Sequence, residues 1–112
     1  MSARDYRMRV QDMLNCCLNI LDFTAGMDFE SFLSDPIIIR AVAFELITIG
    51  EAVRSLPESI KHDYPHIPWG SMQGIRNILV HEYYRLDEEI IWKTITDDIP
   101  NLVDALQMID LI

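Results

Sequence analysis

The run Arg76-Asn77-Ile78-Leu79-Val80-His81-Glu82-Tyr83 puts a permanent cation, a side chain that titrates near neutral pH and a phenol on one short segment. Arginine stabilises charge on a phosphate, and histidine takes or gives a proton at physiological pH. Together they are the groups needed to cleave a phosphodiester without a metal. The spacing alone occurs by chance in many proteins, so its meaning depends on the elements that carry it.

Helical periodicity predicts a helix over roughly Trp69 to Tyr84, on which residues about 100° apart sort into two faces. Met72, Ile75, Ile78 and Leu79 form the expected core side. Gln73, Arg76, Asn77, Val80, His81, Tyr83 and Tyr84 form the other. Asn77 and His81 are one turn apart, so the amide is expected to bond the imidazole and fix its tautomer. Arg76 and Tyr83 are nearly eclipsed, whereas Arg76 and His81 diverge by about 140°. One helix cannot easily close both on one phosphate. Two copies meeting at a symmetric interface could, which is an argument for a dimer.

The rest of the chain also reads as helices. A stripe of Met13, Leu14, Cys17, Leu18 and Leu21 marks a first helix from about Ser2 to Thr24, stopped near Gly26. Asp35-Pro36 reads as a cap followed by a first-turn proline. The helix it opens runs to Leu56, where Pro57 ends it. Its stripe (Ile38, Val42, Leu46, Ile49, Val53, Leu56) is widened by Ile37, Ala41, Phe44 and Ala52, as burial by both a core and a second subunit would require. Residues 57–68, with three prolines, suggest a short helical turn and a loop. Asp87 caps a last helix that Pro100 should kink or split. No segment alternates with period two. The expected architecture is all-α, a single domain over residues 1–112 with four or five helices in an up-down bundle.

Composition narrows the function. Half of the 112 residues are hydrophobic, which suggests a subunit interface, and no apolar run is long enough for a bilayer. A cytoplasmic location without membrane attachment is the expectation. The adjacent Cys16 and Cys17 diverge on a helix, so no disulfide framework is expected. His62 and His66 have Pro65 between them and no third ligand nearby, a poor metal site; neither a metal nor a cofactor is expected. The net charge of −9 opposes nucleic acid at long range and favours a basic partner, so any nucleic-acid role must rest on local cations. Glu45 falls inside the apolar stripe, where an unpaired carboxylate is costly; it either borders an interface or pairs with a cation, Arg76 being the first candidate.

Against this background the chain resembles the HepT-like branch of the HEPN superfamily, small all-α prokaryotic ribonucleases. The matching stretches are Ile49-Gly50-Glu51-Ala52, Ile67-Pro68-Trp69, Arg76-Asn77 through His81 and Tyr83, Ile91-Trp92 and Asp98-Ile99-Pro100. Arg76, His81 and Tyr83 meet the family motif of arginine, four residues, histidine, one residue, tyrosine. The resemblance implies a homodimeric, metal-independent endoribonuclease, the toxin of a type VII-like toxin–antitoxin system. Its antitoxin would be a cognate minimal nucleotidyltransferase that silences it by transferring AMP to Tyr83. By the same resemblance Arg76 would hold the scissile phosphate of RNA and His81 would be the general acid or base. Asn77 would orient His81 or contact phosphate, Tyr83 would contact RNA, and Gln73 would support that surface. The competing reading is a non-catalytic module of a nucleotidyltransferase complex, binding nucleotide or partner. The intact motif favours the first and the acidic charge the second.

Overall fold

The computed structural model describes residues 3–82 and 87–109. Its elements in order are α1 (Ala3–Phe23), α2 (Phe29–Leu33), α3 (Pro36–Ser55), α4 (Glu58–Asp63), α5 (Trp69–His81) and α6 (Glu88–Lys93), then a π-helical turn (Thr94–Asp98) and α7 (Ile99–Gln107). The fold is all-α, and no strand occurs among the described residues. The long helix α3 packs against both α1 and α5, and α7 closes on α1. None of the described helices is long and apolar enough to cross a membrane.

Local chemistry sets the bounds of these helices. The Asp35 carboxylate accepts the Ile38 amide at 3.1 Å, and Pro36 occupies the first turn, where its missing N–H costs nothing. Leu56 leaves the helical region just before Pro57, as the residue ahead of a proline is pushed to do. The Asp87 carboxylate accepts the amides of Glu89 and Ile90, and Glu88 and Glu89 oppose the dipole of α6. Trp69 anchors the start of α5 by donating its indole N–H to the Tyr64 carbonyl at 3.0 Å.

Some expectations need correction. In α1 the fully buried line is Val10, Met13, Cys17 and Ile20, while Leu18 faces out. The short helix α2 was not anticipated: Asp28 and Ser31 form a reciprocal capping box around its start. Phe32 of α2 then packs on Trp92 with ring centroids 5.1 Å apart, giving the Ile91-Trp92 pair a structural role. Pro100 splits the last helix by a specific route. It can neither donate to the Thr96 carbonyl nor tolerate it nearby, and the chain accommodates this with the π-helical turn immediately upstream, where Ile99 N–H reaches back to Thr94. In α3, Ala52 is buried, whereas Ile37 and Phe44 are 75% and 67% exposed.

Glu45 does not meet Arg76. Its carboxylate lies against the Cys16 thiol, whose pKa is pushed up to about 12 by burial first and by Glu45 second. The neighbouring Cys17 is raised to about 12 as well, chiefly by burial, and both cysteines are free. Such thiols stay protonated and behave as small apolar core groups.

Candidate active site

The site is set by a single close approach between α3 and α5. Gly50 lies buried within α3, where glycine is costly to a helix unless something needs the space. Here the stem of Arg76 needs it. A Cβ built on Gly50 would fall 2.1 Å from Arg76 Cβ, 2.7 Å from its Cγ and 3.2 Å from the Met72 carbonyl. The arginine stem therefore runs across the bare backbone of α3, and its guanidinium emerges beside the next residue, Glu51. Arg76 Nη2 and Glu51 Oε1 form an ion pair. On the other side Arg76 Nη1 donates to Asn77 Oδ1 at 2.9 Å. The Nε–H is buried and has no hydrogen-bond partner among the described residues.

This corrects the expected two-faced helix in three respects. Arg76, expected opposite the core, is largely buried: only 16% of its side chain is exposed, against 46% of Glu51. Asn77 turns its amide oxygen to Arg76, not to His81. Ile78, expected in the core, is exposed, so the core contact of α5 rests on Trp69, Met72 and Leu79 with Ile75 partly buried. Gln73 is partly buried on the turn before Arg76. His81 is exposed, ends α5, and makes no side-chain hydrogen bond among the described residues. Tyr83 and Tyr84 lie outside the described residues, so the expectations for them are not addressed by these contacts. His62 and His66 are exposed, and no group of three or more His, Cys, Asp or Glu suited to a metal occurs among the described residues.

A restrained arginine and, five residues on, a histidine with no side-chain partner among the described residues are groups that can act on a phosphodiester. Comparison with known proteins gives the class: the family described as "Ribonuclease HepT-like" matches residues 13–109. The chain belongs to this HepT-like ribonuclease family, and is a ribonuclease by that membership. A Methanocaldococcus jannaschii protein named "Putative RNase MJ1380" is 32% identical over 97% of this chain and 100% of its own. Another from that organism, "Putative RNase MJ0127", is 38% identical over 97% of this chain and 90% of its own. "Probable ribonuclease HepT" of Thermococcus cleftensis is 38% identical over 90% of this chain and 89% of its own. No solved structure matches.

Sequence reasoning singled out Arg76, Asn77 and His81 but assigned no role to Gly50 or Glu51, although both stand in a stretch that matched the family. The available signal was a glycine in the interior of a strongly helical segment, followed at once by a carboxylate.

The close approach makes a sharp prediction. Gly50→Ala must push α5 away from α3, and overpacking of this kind costs about 1–3 kcal/mol. Chemical denaturation should show that loss with the helical content retained, and ribonuclease activity should fall because Arg76 moves with α5. A variant of unchanged stability would mean that the two helices are not in the contact described.

Proposed function

We propose that the protein is a metal-independent endoribonuclease, the toxin of a type VII-like toxin–antitoxin pair, working in the cytoplasm as a two-fold dimer whose Arg76 and His81 residues line one cleft. The observation that carries this reading is the contrast within α5. The Arg76 guanidinium is held between Glu51 and Asn77, while His81 is left exposed and without a side-chain partner among the described residues. A fixed cation suits a developing charge, and an unencumbered imidazole suits proton transfer.

In the proposed reaction His81 removes the proton from a ribose 2′-hydroxyl, and that oxygen attacks the adjacent phosphorus. Arg76 stabilises the charge on the non-bridging oxygens. The bond to the 5′-oxygen breaks, the leaving oxygen takes a proton from an imidazolium or water, and a 2′,3′-cyclic phosphate remains. The dimer is supported by the divergence of Arg76 and His81 about an ideal helix and by Ile37 and Phe44, two large apolar side chains seven residues apart that α3 leaves exposed. Silencing would come from a cognate minimal nucleotidyltransferase transferring AMP from ATP to the Tyr83 hydroxyl, with release of pyrophosphate. The added phosphate is an anion that competes with RNA for a nearby cation.

The net charge of −9 favours a second reading, a partner-binding subunit without catalysis. The two differ at His81. Under the first, cleavage persists in EDTA with a cyclic-phosphate end, and His81→Ala loses about 10²- to 10⁴-fold in rate while its melting temperature is unchanged. Wild-type cleavage that requires magnesium, or an active His81→Ala protein, would rule the mechanism out. Incubation with the cognate nucleotidyltransferase and ATP, followed by peptide mass spectrometry, should find AMP on Tyr83. Finding it on Tyr84, or undiminished in Tyr83→Phe, would overturn that assignment.

A further inference from the structure

We infer that Glu51 is a positioning residue: its carboxylate fixes the Arg76 guanidinium for phosphate and, by cancelling part of its charge, deliberately keeps phosphate binding weak. The inference rests on the ribonuclease reading for the word phosphate, but not for the restraint itself. A guanidinium has five N–H donors. In this protein the Nε–H is buried without a hydrogen-bond partner among the described residues, one Nη2–H faces Glu51 and one Nη1–H faces Asn77. That leaves one hydrogen on each terminal nitrogen, the number a two-point arginine–phosphate contact uses.

Glu51 and Asn77 differ in what they add. Asn77 is a neutral acceptor on the same helix and adjacent in sequence to Arg76, so it moves with it. Glu51 is anionic and projects from α3, so it ties the guanidinium to the other half of the site. It is also the more exposed member of the pair, at the point where a ligand would approach. A ligand phosphate must therefore share the cation with a carboxylate that is already there. Weak ground-state binding with fixed geometry is the arrangement that reserves the arginine's interaction for the transition state, when phosphate charge increases. The Gly50 contact makes this possible by bringing the arginine stem down to the level of Glu51.

Two substitutions separate the carboxylate's two roles. Glu51→Gln keeps an acceptor of nearly the same shape and removes the charge; Glu51→Ala removes both. In titrations followed by NMR, inorganic phosphate should bind Glu51→Gln about 2- to 5-fold more tightly than the wild type, the size expected for one partly exposed opposing charge. The Arg76 Nε–H signal should be protected from exchange in the wild type and in Glu51→Gln, and lose protection in Glu51→Ala. In RNA cleavage, Glu51→Ala should lose about 10- to 100-fold in kcat with KM unchanged or lower, and Glu51→Gln should recover much of that loss. A purely structural role would lower folded protein and spare neither constant selectively. Unchanged or weaker phosphate binding by Glu51→Gln, or wild-type kcat in Glu51→Ala, would overturn the assignment. If the alanine variant does not fold, the near-isosteric glutamine variant decides. If the wild type cleaves no RNA, the ribonuclease reading falls, and the phosphate and Nε–H measurements still accept or reject Glu51 as the restraint.

Discussion

The contact between the Gly50 backbone and the Arg76 stem is the constraint on which the rest of the site depends. Helix axes are held apart by the side chains between them, and a glycine at the crossing removes that spacer. Because α3 offers no Cβ there, α5 can lay an arginine stem directly on it. The guanidinium then comes out beside Glu51. Burial, charge pairing and direction of Arg76 all follow from that one approach. The cost is a glycine inside a helix, which α3 offsets with a side-chain N-cap, a first-turn proline and an apolar face packed on two neighbours.

The same contact explains how an acidic chain can offer a cation to RNA. With 18 acidic residues against 9 lysines and arginines, long-range attraction to a polyanion is not available. What the fold supplies instead is a short-range, preorganised guanidinium. An exposed arginine would have its charge screened and its geometry undefined. Arg76 has little exposure and defined acceptors, so its remaining donors are specific even where the surrounding field is unfavourable. His81 is placed by the opposite logic: it sits at the end of α5, exposed, with its ring nitrogens free of described side chains.

Helix boundaries were largely legible in the sequence because they depend on local chemistry. Asp35-Pro36, Pro57 and Asp87 carry their caps and stops within a few residues. The faces were less legible. A helical wheel gives directions but not depth, so it put Arg76 opposite the core and Ile78 in it, when the level of each is decided by how closely α3 approaches. The same missing depth made Arg76 the first candidate cation for Glu45. Glu45 was conspicuous within an apolar stripe, but the glycine fixes where the arginine stem crosses, and that is beside Glu51; Glu45 instead meets Cys16 of α1. The short helix α2 was missed because five residues carry too little periodicity, although Asp28 and Ser31 spelled its cap. The π-helical turn is a tertiary answer to Pro100, and the sequence announces the problem without the solution.

In the proposed dimer, Arg76 of one copy and His81 of the other would act on the same phosphate. Mixing Arg76→Ala protein with His81→Ala protein, each inactive alone, tests it directly once the subunits have exchanged. Random pairing makes half the dimers mixed, and each mixed dimer has one site with both groups intact, so about a quarter of wild-type activity should return. If the two residues act within one chain, every site in every dimer lacks one of them, and activity that stays at the level of the separate variants would contradict the shared cleft.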